Sequence, residues 1–442
     1  MKKIVLFFLV FIYILPIWAQ EGFQYTGKKN KLRFPFQFIN NLVFIPIKVN
    51  GAELTFLLDT GVEETILFGL EETKEVNFKN AQRIKLSGLG NKDFFEGLRS
   101  TGNLLETKGL KSGNHLLYII LDSEFNLSSF IGIPVNGIVG YSFFRNNVVE
   151  INYEKRKIVV YKNNQKNLKK IEKRFVKVPI VIEKAKPYVM TFAMLKSKQV
   201  PMKLLIDNGN SDAFWLFQNA FRGIEIPEKN FADYLGQGLS GDVEGKRAKV
   251  PEFLISDFKF KNPIVSFPDS LSIKNITMVQ NRAGSVGGEI LRRFSVIFDY
   301  SRGAIYLRKN KAYNAPFTYN KSGLELRHAG MQWVNEKVSL KTVPLLRGTI
   351  YSDAEESKSD FKYEYKLRPV YEISNIRKKS AALQSGLQVG DVVVSVNNNP
   401  AHKYTLQEIN SFLKEGDDDW IELEVERDKE KFKVRFQLVD LL

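Results

Sequence analysis

Phe56-Leu57-Leu58-Asp59-Thr60-Gly61 returns as Leu204-Leu205-Ile206-Asp207-Asn208-Gly209, 148 residues further along the chain. Each stretch opens as an apolar run, which reads as a buried strand, and ends in a carboxylate followed at once by glycine. A carboxylate at the end of a buried strand is expensive to take out of water. Two of them brought together lower that cost by sharing one proton, because like charges a few ångströms apart resist ionising together. The pattern predicts a paired-carboxylate site built from two copies of one unit.

The copies stay in register well beyond the two triplets. Gly88, Gly90 and Gly97 match Gly236, Gly238 and Gly245 at the same offset of 148. Downstream, Pro134-Val135-Asn136-Gly137-Ile138-Val139-Gly140 corresponds to Ala283-Gly284-Ser285-Val286-Gly287, with Gly140 and Gly287 at an offset of 147. Arg145 with Arg292, Tyr153 with Tyr300 and Ile158 with Ile305 keep that second offset. Two copies with one net deletion describe a duplicated lobe and not a solenoid.

The 442 residues suffice for two or three domains, and 44% hydrophobic with 12% aromatic residues argues for packed cores. Met1-Lys2-Lys3, the apolar run Ile4 to Ile14 and Pro16-Ile17-Trp18-Ala19 read as a secretory signal over residues 1–19, with cleavage after Ala19. The alternative is an uncleaved anchor, although the run is short for a span. Export to a periplasmic or extracellular bacterial envelope compartment is therefore expected. Cysteine is absent, which excludes a thiol nucleophile, thiolate metal ligands and disulfides. The net charge of +16 suits a soluble basic protein near an anionic envelope surface. The basic residues are scattered without stacking aromatics, so no nucleic-acid partner is expected. The run from Lys162 to Lys170 reads as a solvated linker between the lobes.

Strand signals dominate residues 33–310. Val43 to Val49 ends at the turn dipeptide Asn50-Gly51 and leads into Leu54 to Leu58. Val148 to Tyr153 with Lys157 to Tyr161, and Val296 to Tyr300 with Ala304 to Leu307, read as equivalent hairpins. After Lys311 the texture changes. Ser380 to Ser385 reads as a short helix stopped by Gly386, Val392 to Val396 as a strand, Leu406 to Leu413 as a helix, and Trp420 to Val425 with Phe432 to Leu438 as closing strands. The expectation is a mainly β protein: lobe 1 over 20–165, lobe 2 over 166–310, and a linker with a small α+β domain over 311–442.

Residues 35–310 resemble the aspartic proteases of the retropepsin and pepsin clan, on the strength of both triplets and both downstream glycines. More narrowly, the chain is similar to exported bacterial aspartyl-protease-like proteins with a C-terminal PDZ domain. The resemblance implies two pseudo-symmetric β-barrel lobes meeting at a pseudo-two-fold axis, in one chain and as a monomer. Asp59 and Asp207 would be catalytic. Thr60, Gly61, Asn208, Gly209, Gly140 and Gly287 would support the active-site loops. The hairpins carrying Gly88, Gly90, Gly236 and Gly238 would be flaps. One carboxyl would stay protonated while the other activates a water that attacks a peptide carbonyl. No metal and no cofactor is expected, and the substrate would be a peptide or unfolded protein. Asn208 stands where the family has Thr or Ser, and Val62 and Asn210 stand where a small residue follows the glycine. No flap Tyr of the pepsin type is found, which leaves Phe94 or Phe95 to cover the site. A catalytically impaired peptide binder and a PDZ-based envelope scaffold are the alternatives.

Ser380-Ala381-Ala382, Gly386-Leu387, Gly390-Asp391-Val392 and Asn397 resemble the bacterial PDZ signature. This implies peptide binding by strand addition between a strand near Val370 to Ile376 and the helix Leu406 to Leu413. Arg368, Val370, Leu406 and Ile409 are the groove candidates. The loop for a terminal carboxylate should precede Val370, where Pro369 supplies no amide donor. Residues 328–365 carry no readable pattern. Gly236-Gln237-Gly238-Leu239-Ser240-Gly241 satisfies a dinucleotide fingerprint on paper, but no helix follows it, so it reads as a flap.

Overall fold

The computed structural model describes residues 22–69, 76–86, 95–121, 126–239, 241–274, 276, 278–339, 361–414, 416 and 419–442. The signal segment and the first-lobe candidates Gly88 and Gly90, with Phe94, lie outside the described residues. The chain is mainly β. The two lobes repeat one strand topology. In lobe 1, Ala52–Leu58 pairs antiparallel with Leu42–Val49 and parallel with Gly137–Val139, which pairs antiparallel with Thr65–Leu67. In lobe 2, Lys198–Ile206 pairs antiparallel with Lys186–Leu195 and parallel with Arg282–Val286, which pairs antiparallel with Phe214–Leu216. The strands that lead into the triplets are interior to their sheets, which explains their unbroken apolar reading. Leu58 and Ile206 are fully buried.

A six-stranded sheet joins the lobes, in the order Val176–Pro179, Ala304–Lys309, Phe294–Asp299, Val148–Asn152, Lys157–Tyr161, Lys31–Pro35. Its middle pair is the symmetry axis: Glu150 faces Ile297, residues related by the repeat offset. Three strands come from each half, so the boundary near residue 165 is a boundary in sequence and not in packing. Phe144 of lobe 1 sits edge-on to Phe298 of lobe 2, with ring centroids 5.1 Å apart, inside one continuous apolar core.

The predicted linker is a helix. Gln165–Glu172 starts at Asn164, whose side chain accepts from the Asn167 N–H. Leu168 and the buried Ile171 pack it onto Val148, Ile297 and Tyr306 of the shared sheet. Its lysines are the solvated face of an amphipathic helix, and the apolar residues three apart outweigh them.

The C-terminal domain has its own core around Leu324, Ile373, Val396, Ile409 and Val425. Its sheet runs Leu324–Ser339, Phe361–Ile376, Val392–Val396, Trp420–Arg427, Glu430–Gln437. Of residues 328–365, unreadable in sequence, the described ones (328–339 and 361–365) belong to a hairpin in which Leu324–Ser339 pairs with Phe361–Ile376. Helix Leu406–Phe412 starts on a Thr405–Glu408 capping box.

Phe298 is fully buried at the lobe junction. Phe298→Ala is expected to cost about 3–5 kcal/mol. It should lower one cooperative transition, read identically by near-UV and far-UV circular dichroism. Two separated transitions would show that the lobes fold independently.

Candidate active site

Both aspartates leave their strands in the same way. The Asp59 N–H donates to the Val139 carbonyl at 3.0 Å, and the Asp207 N–H donates to the Val286 carbonyl at 2.9 Å. Each carboxyl is then anchored by its own turn: the Gly61 N–H donates to Asp59 Oδ1 at 2.6 Å, and the Gly209 N–H donates to Asp207 Oδ1 at 3.0 Å. The carboxyls meet across the axis. A Cβ on Gly61 would lie 2.6 Å from Asp207 Oδ1, and one on Gly209 would collide with the Asp59 carboxyl. Neither glycine has a positive φ. They are glycines because the opposite aspartate occupies the space of a side chain. Gly140 and Gly287 sit beneath the turns, where a Cβ would strike the Val62 carbonyl and the Asp212 and Asn210 carbonyls respectively.

Burial raises the pKa of Asp59, and the neighbouring Asp207 raises it further. Burial also raises Asp207, with Arg282 as the largest opposing influence. The two carboxyls interact through a mutual hydrogen bond, and the upward shift of both favours one shared proton over double ionisation.

The grip between the turns is one-sided. Thr60 Oγ1 donates to the Ile206 carbonyl at 2.7 Å and accepts from the Asn208 N–H at 3.0 Å. Asn208 returns nothing: its side chain is buried, and neither Oδ1 nor Nδ2 has a partner among the described residues. Asn210 is accommodated, with Nδ2 donating to Ser285 Oγ and Oδ1 accepting from the Asp212 N–H.

The dyad lines a cleft of about 810 Å³. Gly236 and Gly238 line it from the hairpin formed by Asn230–Gly238 and Gly241–Lys249, with a register shift between Tyr234 and Gly236. Its lobe 1 counterpart pairs Gln82–Leu86 with Phe95–Thr107, and the connecting tip lies outside the described residues.

Sequence reasoning missed an ion chain leading away from the dyad. Arg247 on the lobe 2 hairpin donates to Asp212 Oδ1 at 2.8 Å and to Asp233 Oδ2 at 2.7 Å. Asp212 follows Asp207 by five residues and also accepts from Trp215 Nε1 and Ser266 Oγ. Burial pushes Asp212 up, but Arg247 and these donors outweigh it and hold the carboxyl below its ordinary range. Asp233 is also approached by the buried Arg377 of the C-terminal domain, at 3.4 Å. On the other lobe, Gln407 Nε2 donates to the Ile131 carbonyl at 2.5 Å. The C-terminal domain thus touches both lobes at the cleft mouth, and its Glu325, Asn410 and Lys414 line the same cavity. Burial, then the nearby Asp233, pushes Glu325 up to about 7.

The groove candidates are placed differently from expectation. Phe361–Ile376 has neighbours on both sides, so the segment Val370 to Ile376 is not the free edge. Arg368 forks onto Glu336 across the hairpin, at 2.7 Å to each oxygen. Leu406 and Ile409 are buried in the domain core. The sheet ends at Glu430–Gln437 on one side and at Leu324–Ser339 on the other, and it is Leu324–Ser339 that lies beside helix Leu406–Phe412 and against the lobe 1 helix Leu127–Ile131. In the loop before that edge, the Lys321 and Ser322 amides already donate to the Leu413 carbonyl and the Gly323 amide donates to Asn320 Oδ1. That occupation, and not Pro369, argues against capture of a terminal carboxylate.

Residues 372–427 match the PDZ domain family, so the C-terminal domain contains a PDZ domain. The matched span leaves out the edge strand Leu324–Ser339. A comparison of the chain with curated proteins finds no match.

Thr60→Val leaves the Ile206 carbonyl and the Asn208 amide unpaired, with an expected loss of about 1–3 kcal/mol in denaturant unfolding. Asn208→Thr replaces two orphaned polar atoms by one hydroxyl at the symmetric position and should gain roughly 1 kcal/mol. Loss of stability in Asn208→Thr would mean that the amide is satisfied. The dyad gives a pH signature. A carboxyl raised in the folded state binds its proton more tightly there than in the unfolded chain. Its charging therefore lowers stability as pH climbs above the ordinary carboxylate range. Asp59→Asn removes that penalty and should melt higher than wild type at neutral pH, by on the order of 1 kcal/mol, with the difference shrinking on acidification. A difference that grows toward acid would contradict the raised pair.

Proposed function

We propose that the chain is an aspartic endopeptidase carrying a peptide-binding PDZ domain. The observation that carries the reading is the reciprocal fit of Asp59 and Asp207, each facing the glycine of the opposite turn on the floor of a cleft between two equivalent lobes. In such a pair the ionised carboxyl takes a proton from a bound water, and the oxygen of that water attacks the peptide carbonyl. The protonated carboxyl donates to the oxygen that becomes negative. Collapse of the tetrahedral intermediate passes a proton to the leaving amine, and no covalent enzyme intermediate forms. The lobe 2 hairpin supplies one wall for an extended substrate, and Gly236 and Gly238 leave room for its backbone. The PDZ edge Leu324–Ser339 offers strand addition to a peptide, and its Glu325 and Leu326 line the same cleft.

The reading includes export, with residues 1–19 as a signal and action in a bacterial periplasm or outside the cell. Peptides or unfolded proteins would be the substrates, and the shared sheet within one chain removes the need for a second copy to complete the site. A second reading, a peptide-binding scaffold without hydrolysis, is favoured by one observation: Asn208 leaves the turn-to-turn grip half made.

Wild type should cleave members of an unstructured peptide library at mildly acidic to neutral pH. Asp59→Asn and Asp207→Asn should each lower kcat/KM by at least about 1,000-fold, since neither carboxyl works without the other. Digestion that is identical in wild type and both variants would end the peptidase reading. Binding without digestion by any of them would favour the scaffold.

A further inference from the structure

The cleft places two cations beside the dyad that no carboxylate among the described residues pairs with. Lys186 opens the strand Lys186–Leu195, and its cross-strand neighbour is Glu183. Glu183 is already taken: Lys203 Nζ donates to both of its oxygens, at 2.6 and 2.7 Å. Among the described residues Lys186 has no ion-pair partner, and it lines the cleft with Asp59 and Asp207. Arg282 opens the neighbouring strand Arg282–Val286. Its Nε donates to the Gly284 carbonyl at 3.1 Å, and its guanidinium lies 5.2 Å from the Phe217 ring centroid. These two contacts fix the plane of the fork, while its terminal amino groups have no acceptor among the described residues. A held guanidinium with free donors is the arrangement that binds a carboxylate in two places at once.

Glu64, Lys85 and Lys414 also line the cleft without an ion-pair partner among the described residues, and two other charges there are committed. Arg247 is committed to Asp212 and Asp233, and Glu289 is committed to Arg292, Arg293 and Asn41. Lys186 and Arg282 both face the field of the dyad and ease its ionisation. Yet the dyad carries a single negative charge when it holds its proton, so two cations exceed what it needs.

We infer that Lys186 and Arg282 form a subsite for a substrate carboxylate on the lobe 2 side of the scissile bond, so that the cleft selects acidic peptides. The inference rests on the peptidase reading for its cleavage test but not for its binding test. Arg282 would hold the carboxylate by its fork, with Phe217 beneath it, and Lys186 would close over it as a point charge.

The test uses the full-length protein and peptides paired as Glu and Gln at each position flanking the cleavage site, each with a free and an amidated C-terminus. Wild type should cleave the Glu member about tenfold better in kcat/KM at one of those positions, the difference expected of one charge-assisted pairing. Arg282→Gln and Lys186→Gln should each bring that ratio toward one, and Arg282→Lys should keep part of it. A preference that follows the free terminus instead of the side chain would identify the bound carboxylate as terminal. A ratio of one at every position in wild type overturns the subsite. So does an equal loss on Glu and Gln peptides with a shifted acid limb, because the cations would then serve only the dyad. Binding to Asp59→Asn, read by fluorescence anisotropy, separates the two claims. Tighter binding of Glu peptides that Arg282→Gln abolishes keeps the subsite even if nothing is hydrolysed, and equal binding of Glu and Gln peptides sinks it.

Discussion

Bringing the carboxyls of Asp59 and Asp207 close enough to share a proton asks a great deal of the surrounding fold. The carboxyls must be buried enough to resist double ionisation, close enough to share the proton, and stiff enough not to drift apart and take up water. Burial comes from interior strands, whose parallel partners Gly137–Val139 and Arg282–Val286 fix where each turn begins. Proximity comes from glycine at positions 61 and 209, where any side chain would displace the opposite carboxyl. Stiffness comes from Thr60 and from the six-stranded sheet below, which makes one body of two lobes. Movement of one lobe against the other would break the dyad before it broke either core.

The same constraint gives the ion chain a meaning. Asp212 belongs to the loop that follows Asp207, and Arg247 ties that loop to the hairpin that walls the cleft. Asp233 continues the tie to Arg377 in the C-terminal domain. These charges are little exposed, so removing one partner would leave an uncompensated charge in a poorly hydrated place. The chain is a geometric clamp more than a source of net stability. It makes the position of the hairpin depend on how the PDZ-containing domain is docked.

The triplets, their downstream glycines and most hairpins were legible because each is a local pattern: an apolar run, a reversal and a fixed offset. The Asn50-Gly51 turn lies where expected, with both residues at positive φ. The helix Gln165–Glu172 was hidden because lysines outnumber the two apolar residues that seat it, and its burial depends on a sheet assembled from both lobes. The strand beside the PDZ helix was assigned to the wrong segment because sequence shows which segments are strands but not which of them ends a sheet. The edge strand Leu324–Ser339 lies well before the segment that carries the recognisable signature. The chain Asp212–Arg247–Asp233–Arg377 joins residues up to 165 positions apart and leaves no periodic trace. The reason for Gly61 and Gly209 was only half legible, since the need for glycine came from a side chain on the other lobe.

Duplication makes a symmetric site, and the differences between the copies show where symmetry was given up. Phe44 faces Leu57 as Tyr188 faces Leu205, so Leu42 of lobe 1 corresponds to Lys186 of lobe 2. By the repeat offset, Val135 corresponds to Arg282. Leu42 and Val135 belong to an apolar cluster with Ile66, Ile131 and Ile138, whereas Lys186 and Arg282 remain charged and unpaired. One flank of the dyad is therefore apolar and the other cationic. An extended peptide has direction, and a symmetric cleft would accept it either way round. Opposed flanks of different polarity break that degeneracy, because reversing the chain would set an acidic group against the apolar wall and leave the cations unmatched. Thr60 and Asn208 divide the turn-to-turn grip unequally in the same sense. On the peptidase reading, once the two lobes need not be alike, one can specialise in holding the pair together and the other in telling substrates apart.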